Sequence, residues 1–290
     1  MENPNDSFEA ILFKVFGQDI SLKKYALIAA GNANQAVLLR TSWGAFFLKF
    51  NYEANGDIFR EEAHGLELMA RHTSLFVPVV YGFGQVEGTN YLVTEWVRQG
   101  PQSTDYWRTL AEGLAELHMA TQAGFGLDHP NYIAILPQRN ESHPDWTSFF
   151  IDERLEPLLQ RAHDHQLISL EIVQKVQAIY PALWGFFPSE KPALLHGDLW
   201  SGNIMRTTKG NPVLIDPAVY YGHREMDIAF SRLFGGFSEE FYEAYNDFFP
   251  MEPGFEERKD VYNLYPLLVH LNLFGTGYLP GILRVVERLS

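Results

Sequence analysis

This sequence predicts an α+β protein in two parts, and three features predict it. Between Tyr25 and Phe50, the runs YALIAA, QAVLLRT and AFFLKF are rich in strand-forming residues and parted by the turn signals GNAN and SWG, the pattern of an antiparallel sheet. Beyond Pro101 the apolar residues recur at helical spacing instead. The Gly100-Pro101 pair marks the change of texture, which puts the division at residues 1–99 and 100–290.

The elements follow in order. Phe8, Ile11, Leu12 and Val15 form a helical stripe, with Ser7 expected as its N-cap. Phe59, Ala63, Leu66 and Met69 put Glu62 on a helix that follows the strand carrying Lys49. VVYGFGQVEG and NYLVTEWV read as two more strands, so the first part is a sheet with helices. In the second part, helices are expected on the Leu110, Leu114 and Leu117 stripe, over Phe149–Ala162, and from Ile168 to Leu183. Others are expected over Met226–Phe234, Ser238–Phe249, Glu256–Leu273 and Pro280–Leu289. The stretch from Gly124 to Trp146 reads as a long loop of the kind that lines sites.

Composition excludes several classes of function. The chain has 290 residues, 46% apolar and 14% aromatic, which supports a substantial core. A formal charge of −14 argues against nucleic acid and anionic membrane as partners. No apolar run is long enough to span a bilayer, and MENPNDSFEA lacks the basic and apolar segments of a signal peptide. A soluble, cytoplasmic, monomeric protein is expected. The chain has no cysteine, so disulfides and thiolate chemistry are out, and chemistry falls to carboxylates, His, Lys and hydroxyls.

The densest set of such groups is LLHGDLWSGNIMRTTKGNPVLID, Leu194 to Asp216. Asp198 and Asn203 stand five positions apart behind His196 and Gly197, which resembles the HRDxxxxN loop of protein kinases. The turn signal Lys209-Gly210-Asn211 between apolar runs predicts a hairpin that returns Asp216 toward Asn203. One base, Asp198, and two magnesium ligands, Asn203 and Asp216, would meet there. Lys49 would reach phosphates with Glu62 as its partner, Glu61 and Glu67 being the alternatives; strand, Lys, helix Glu, linker and catalytic loop is the kinase order.

Further residues are read two ways. The turn Gly31-Asn32-Ala33-Asn34 is either a phosphate cover through its backbone amides or a plain hairpin turn. In Thr94-Glu95-Trp96-Val97 the backbone of Glu95 and Val97 is placed to bond adenine, with Trp96 a packing residue. Trp200 either walls a sugar pocket or packs in the core. Asp227 either bonds the catalytic-loop backbone or caps a helix. His118, His196 and His270 lack metal-ligand spacing, so no zinc site is assigned.

HGDLWSGN, the later DPAVYYGHREMDIAF, the tract LFGGFSEEFYEAY with PGF, and FGLDHPNYIAILPQ resemble the fructosamine kinase (ketosamine 3-kinase) family, within the aminoglycoside phosphotransferase and choline kinase-like group. The resemblance runs from about Gly31 to Gly277. It implies a protein kinase-like two-lobed fold, ATP and Mg2+, and phosphorylation of the 3-hydroxyl of a small-molecule or protein-bound glycated amine as deglycation repair. Trp200 and His223 are the candidate substrate contacts. Other readings are a phosphotransferase for aminoglycosides or amino alcohols, and a nonenzymatic kinase-like scaffold. Two departures stand out: the family often has a cysteine in the phosphate-covering loop, and NESHPDW, Asn140 to Trp146, is longer and more polar than an aromatic-centred motif.

Overall fold

Local sequence sets most of the elements. This computed structural model describes residues 4–30, 34–52 and 57–289. The first helix, α1, runs Pro4–Phe16; Ser7, expected as its cap, lies inside it. Proline suits a first helical position, where no intrahelical N–H bond is lost. Strands β1 (Leu22–Ala30), β2 (Gln35–Thr41) and β3 (Gly44–Asn51), helix α2 (Asp57–Ala70), and strands β4 (Val80–Val86) and β5 (Thr89–Glu95) follow. They form one antiparallel sheet of order β1-β2-β3-β5-β4.

Next comes α3 (Tyr106–Met119), then a short hairpin, β6 (Asn131–Ile133) with β7 (Leu136–Gln138), inside the expected loop. The helix expected from Phe149 is three pieces: α4 (Trp146–Phe149), a π-helical turn over Phe150–Leu155, and α5 (Glu156–Asp164). The long helix expected to Leu183 breaks into α6 (Leu170–Gln177) and α7 (Tyr180–Leu183). Pro181 lacks the N–H that a continuous helix needs and restricts the residue before it. Strand β8 (Ala193–Leu195), β9 (Ile204–Arg206), β10 (Pro212–Leu214) and β11 (Tyr220–Gly222) precede α8 (Glu225–Leu233) and α9 (Glu239–Phe248). Pro266 likewise divides the expected Glu256–Leu273 helix into α10 (Phe255–Tyr262) and α11 (Leu264–Phe274). The last helix is α12 (Leu279–Leu289). Among the described residues no helix is long and apolar enough to cross a membrane.

These elements form two compact units, residues 1–109 with 204–217, and residues 110–203 with 218–290. In the first, strand alternation sorts side chains to two faces. Phe46, Leu48 and Phe50 of β3, with Tyr91 and Val93 of β5, bury against Phe8, Ile11 and Leu12 of α1. The opposite face carries Leu92, packed with Phe59 and Ala63 of α2. Lys49 pairs with Leu92 and so shares its face. In the second unit β8 pairs with β11, and the buried apolar faces of α3, α5, α8 and α11 supply the core.

Candidate active site

Lys49 faces α2 because of the alternation just described, and Glu62 lies between Phe59 and Ala63 on the helical turn that packs there. Lys49 Nζ stands 2.7 Å from Glu62 Oε1 and 2.6 Å from Asp216 Oδ1. Burial works against the Lys49 cation, but the charges of Asp216 and Glu62 outweigh it and raise the Lys49 pKa above its ordinary value. Lys49 is therefore a fixed cation. Burial pushes the Glu62 carboxyl up, opposed by Lys49. The geometry selects Glu62 over Glu61 and Glu67 as the partner. Asp216 has a φ of 55°, a left-handed conformation that Asp tolerates better than most residues. The hairpin expected before it is formed by β9 and β10, with Ile204 opposite Leu214.

Asp198 follows β8 in the second unit. Asn203 Nδ2 donates to Asp198 O at 2.9 Å and to Asp198 Oδ2 at 2.8 Å, which orients the carboxylate. Gly197 has a φ of 81°, and a Cβ there would stand 2.0 Å from Ala218 O, so only glycine fits. The Asp198 N–H donates to His196 Nδ1 at 3.3 Å, which places the His196 proton on Nε2.

The loop is held from behind by a side chain that the sequence read two ways. Asp227 accepts from His196 N–H at 2.7 Å through Oδ2 and from Gly197 N–H at 3.0 Å through Oδ1. Of its two readings, the structure supports bonding to the loop backbone; the cap position of α8 belongs to Arg224. His118, which lacks metal-ligand spacing, supports Asp227 instead. Its Nε2 is 3.2 Å from Asp227 Oδ2 and its Nδ1 is 2.7 Å from Tyr245 Oη. A carboxylate only accepts, so Nε2 carries the proton and Nδ1 accepts from the Tyr245 hydroxyl. Burial lowers the His118 pKa despite Asp227, keeping the ring neutral. The available signal was a His at the end of the apolar stripe of α3.

The other expected residues are placed as follows. Gly31 and Asn32 lie outside the described residues. Asn34 Oδ1 accepts from Asn51 Nδ2 at 2.8 Å, and Asn51 Oδ1 accepts from Asn90 at 2.9 Å, so the Asn34 side chain is tied into the sheet. Glu95 ends β5 with its N–H given to Val79 O at 2.8 Å; Val97 is buried. Trp96 stacks on Phe47. Trp200 is 38% exposed, with its ring against Gly202, where a Cβ would lie 2.3 Å away. His223 is not at the surface: it is 1% exposed, stacks on Trp146 at 4.7 Å and bonds Tyr262 Oη at 2.9 Å. Two polar residues of NESHPDW are spent on structure. Asn140 holds the buried Arg154, and Asp145 caps α4.

A family model described as fructosamine kinase matches residues 5–290. The chain belongs to the fructosamine kinase family. An Enterococcus faecium protein assigned as a ketoamine kinase is 38% identical over 262 residues, covering 90% of this chain and 93% of its own. The chloroplastic protein-ribulosamine 3-kinase of Arabidopsis thaliana is 37% identical over 276 residues, covering 93% and 84%. A Thermobifida fusca crystal structure assigned as a fructosamine-3-kinase matches with a TM-score of 0.88 at 30% identity, covering 98% of both chains. An aminoglycoside phosphotransferase, APH(4)-Ia, shares the fold at 19% identity and a TM-score of 0.65, covering 98% of this chain and 96% of its own. The α+β class expected from the strand and helix patterns, and the kinase-like fold that the resemblance implies, are thus the fold of this fructosamine kinase family member.

The buried histidines of this fructosamine kinase family chain make its stability depend on pH. Burial, with Arg258 and Arg224 adding repulsion, lowers the His223 pKa to about 3. Its folded pKa lies below the unfolded one, so its stabilisation is complete above the unfolded value near 6.5 and is lost as pH falls toward 3. Unfolding free energy is expected to drop by about 2 kcal/mol between pH 7.5 and 5 from this group alone. Denaturant titration at the two pH values measures it, and the slope should flatten in His223→Leu. Equal slopes in the two proteins would contradict the assignment.

Proposed function

We propose that this chain transfers the γ-phosphoryl group of ATP to the 3-hydroxyl of a ketosamine, a fructosamine or ribulosamine adduct of an amine. The observation that carries this reading is the Asp198 carboxylate held by Asn203 on a loop tied down by Asp227, in a chain of the fructosamine kinase family.

The roles follow from the chemistry of each group. Asp198 accepts the proton of the 3-hydroxyl as its oxygen bonds the γ-phosphorus and the bond from that phosphorus to the β-phosphate oxygen breaks. Lys49, kept cationic by Glu62 and Asp216, neutralises phosphate charge. Asp216 and Asn203 are a carboxylate and an amide, the hard oxygen donors that magnesium takes; Asn203 spends its Nδ2 on Asp198, leaving the amide oxygen as its ligand atom. Magnesium held by donors of this kind would spread the charge of the phosphates. The Glu95 carbonyl and the Val97 N–H are assigned to adenine, since the Glu95 N–H is given to Val79, and the Gly31–Asn34 segment to the phosphates. Trp200, partly exposed three residues from Gly197, is assigned to the sugar; His223, with its ring buried, is given no substrate contact.

An acceptor panel tests the proposal. With ATP and magnesium, fructosyl-lysine and ribulosyl-lysine are expected to release ADP, whereas kanamycin and amino alcohols are not. Turnover of kanamycin with none of the ketosamines would overturn it in favour of an aminoglycoside phosphotransferase.

A further inference from the structure

The tract LFGGF is placed against the catalytic loop. Gly236 has a φ of 96°, and a Cβ there would stand 2.5 Å from Ser201 Cβ. The chain at 234–237 therefore runs directly beside the loop that carries Asp198 and Trp200. Two residues earlier, Phe234 is 41% exposed and its ring lies 4.6 Å from that of His270. Phe274, 67% exposed, and Tyr278 complete the group, with ring centroids 5.4 and 5.0 Å from His270. An aromatic cluster with two rings, Phe234 and Phe274, open to water beside a reaction loop marks a place where something binds.

The chemistry of the cluster is specific. His270 Nδ1 donates to Pro266 O at 2.7 Å, so its Nε2 is a hydrogen-bond acceptor. Burial, opposed by that backbone bond, lowers its pKa, and the neutral ring does not repel a cation. Ring faces attract alkyl chains and ammonium groups together. The chain's formal charge of −14 also suits a cationic ligand.

We propose that Phe234, His270, Phe274 and Tyr278 seat the amine-bearing limb of the acceptor, the alkyl chain of a glycated lysine with its ammonium against the ring faces. This rests on the ketosamine reading above. The sugar then lies toward Trp200 and the limb runs out past Gly236, so the site favours adducts of long-chain amines over those of small ones.

Two acceptors that share one ketose test this: Nα-acetyl-Nε-fructosyl-lysine and N-fructosyl-methylamine. The quantity read is the ratio of kcat/KM between them. Phe274→Ala, at a position too exposed to endanger folding, is expected to lower that ratio about tenfold, mainly through KM for the lysine adduct, because the ammonium is common to both acceptors and only the lysine adduct carries the long alkyl chain. Phe274→Tyr should restore it. A ratio unchanged by Phe274→Ala overturns the seat while leaving the ketosamine reading intact. Failure of the unsubstituted chain to turn over any ketosamine overturns that reading and this one with it.

Discussion

Asp198→Asn is expected to lower kcat by about a thousandfold while leaving KM for ATP within about twofold, because the substitution removes a proton acceptor and little else. The carboxylate receives its oriented hydrogen bond from Asn203 Nδ2 at Oδ2, and an asparagine can present its own amide oxygen to the same donor. The loop backbone is held elsewhere, by Asp227 at His196 and Gly197. The fold should therefore survive, with a melting temperature close to that of the unsubstituted chain. Lys49, Glu62 and Asp216 are untouched, so nucleotide affinity should persist. ADP release under saturating fructosyl-lysine, alongside calorimetric ATP binding, measures both. A rate close to that of the unsubstituted chain would remove Asp198 as the base, and loss of ATP binding together with the melting transition would show a structural role instead.

The parts of this site legible in the sequence were those fixed by local spacing. Asp198, Asn203 and Asp216 sit in one short stretch, and the hairpin between the last two follows from a turn signal flanked by apolar runs. The contact of Lys49 with Glu62 was legible because strand alternation and helical period each point one side chain at the other. What escaped the sequence reading depends on distant packing. His118 and Tyr245 stand 127 residues apart and meet over Asp227, and no local pattern announces such a meeting. His223 looked like a substrate residue for its place beside HREMDIA, yet the aromatic surroundings that bury it come from Trp146 and Tyr262, far off along the chain. The helix breaks near Pro181 and Pro266 were written in the residues themselves; the strong apolar periods of Ile168–Leu183 and Glu256–Leu273 masked them. The π-turn at Phe150–Leu155 has no comparable signal, since its apolar residues fit an ordinary helix equally well.

Asp227→Asn is expected to damage both turnover and stability, by a different route from the loss of the base. Asp227 Oδ2 accepts from both the His196 N–H and His118 Nε2–H, and Oδ1 accepts from the Gly197 N–H. An amide offers one oxygen where the carboxylate offers two, so either orientation turns an NH2 group toward a backbone N–H that needs an acceptor. The site is 1% exposed, and water cannot replace the lost partner. Leaving one buried donor unsatisfied and weakening two charge-assisted bonds is expected to cost about 2–4 kcal/mol of stability. The loop that slackens is the one that aims Asp198, so kcat should fall about a hundredfold as the carboxylate loses its alignment with the acceptor hydroxyl. KM for ATP should move little, because the Lys49 contacts lie in the other unit. His118→Ala gives the discriminating comparison: it empties one side of Asp227 but keeps both backbone bonds, so it should retain most of kcat at a measurable loss of melting temperature. If His118→Ala and Asp227→Asn lowered kcat equally, His118, and not the backbone bonds, would be what aligns the loop.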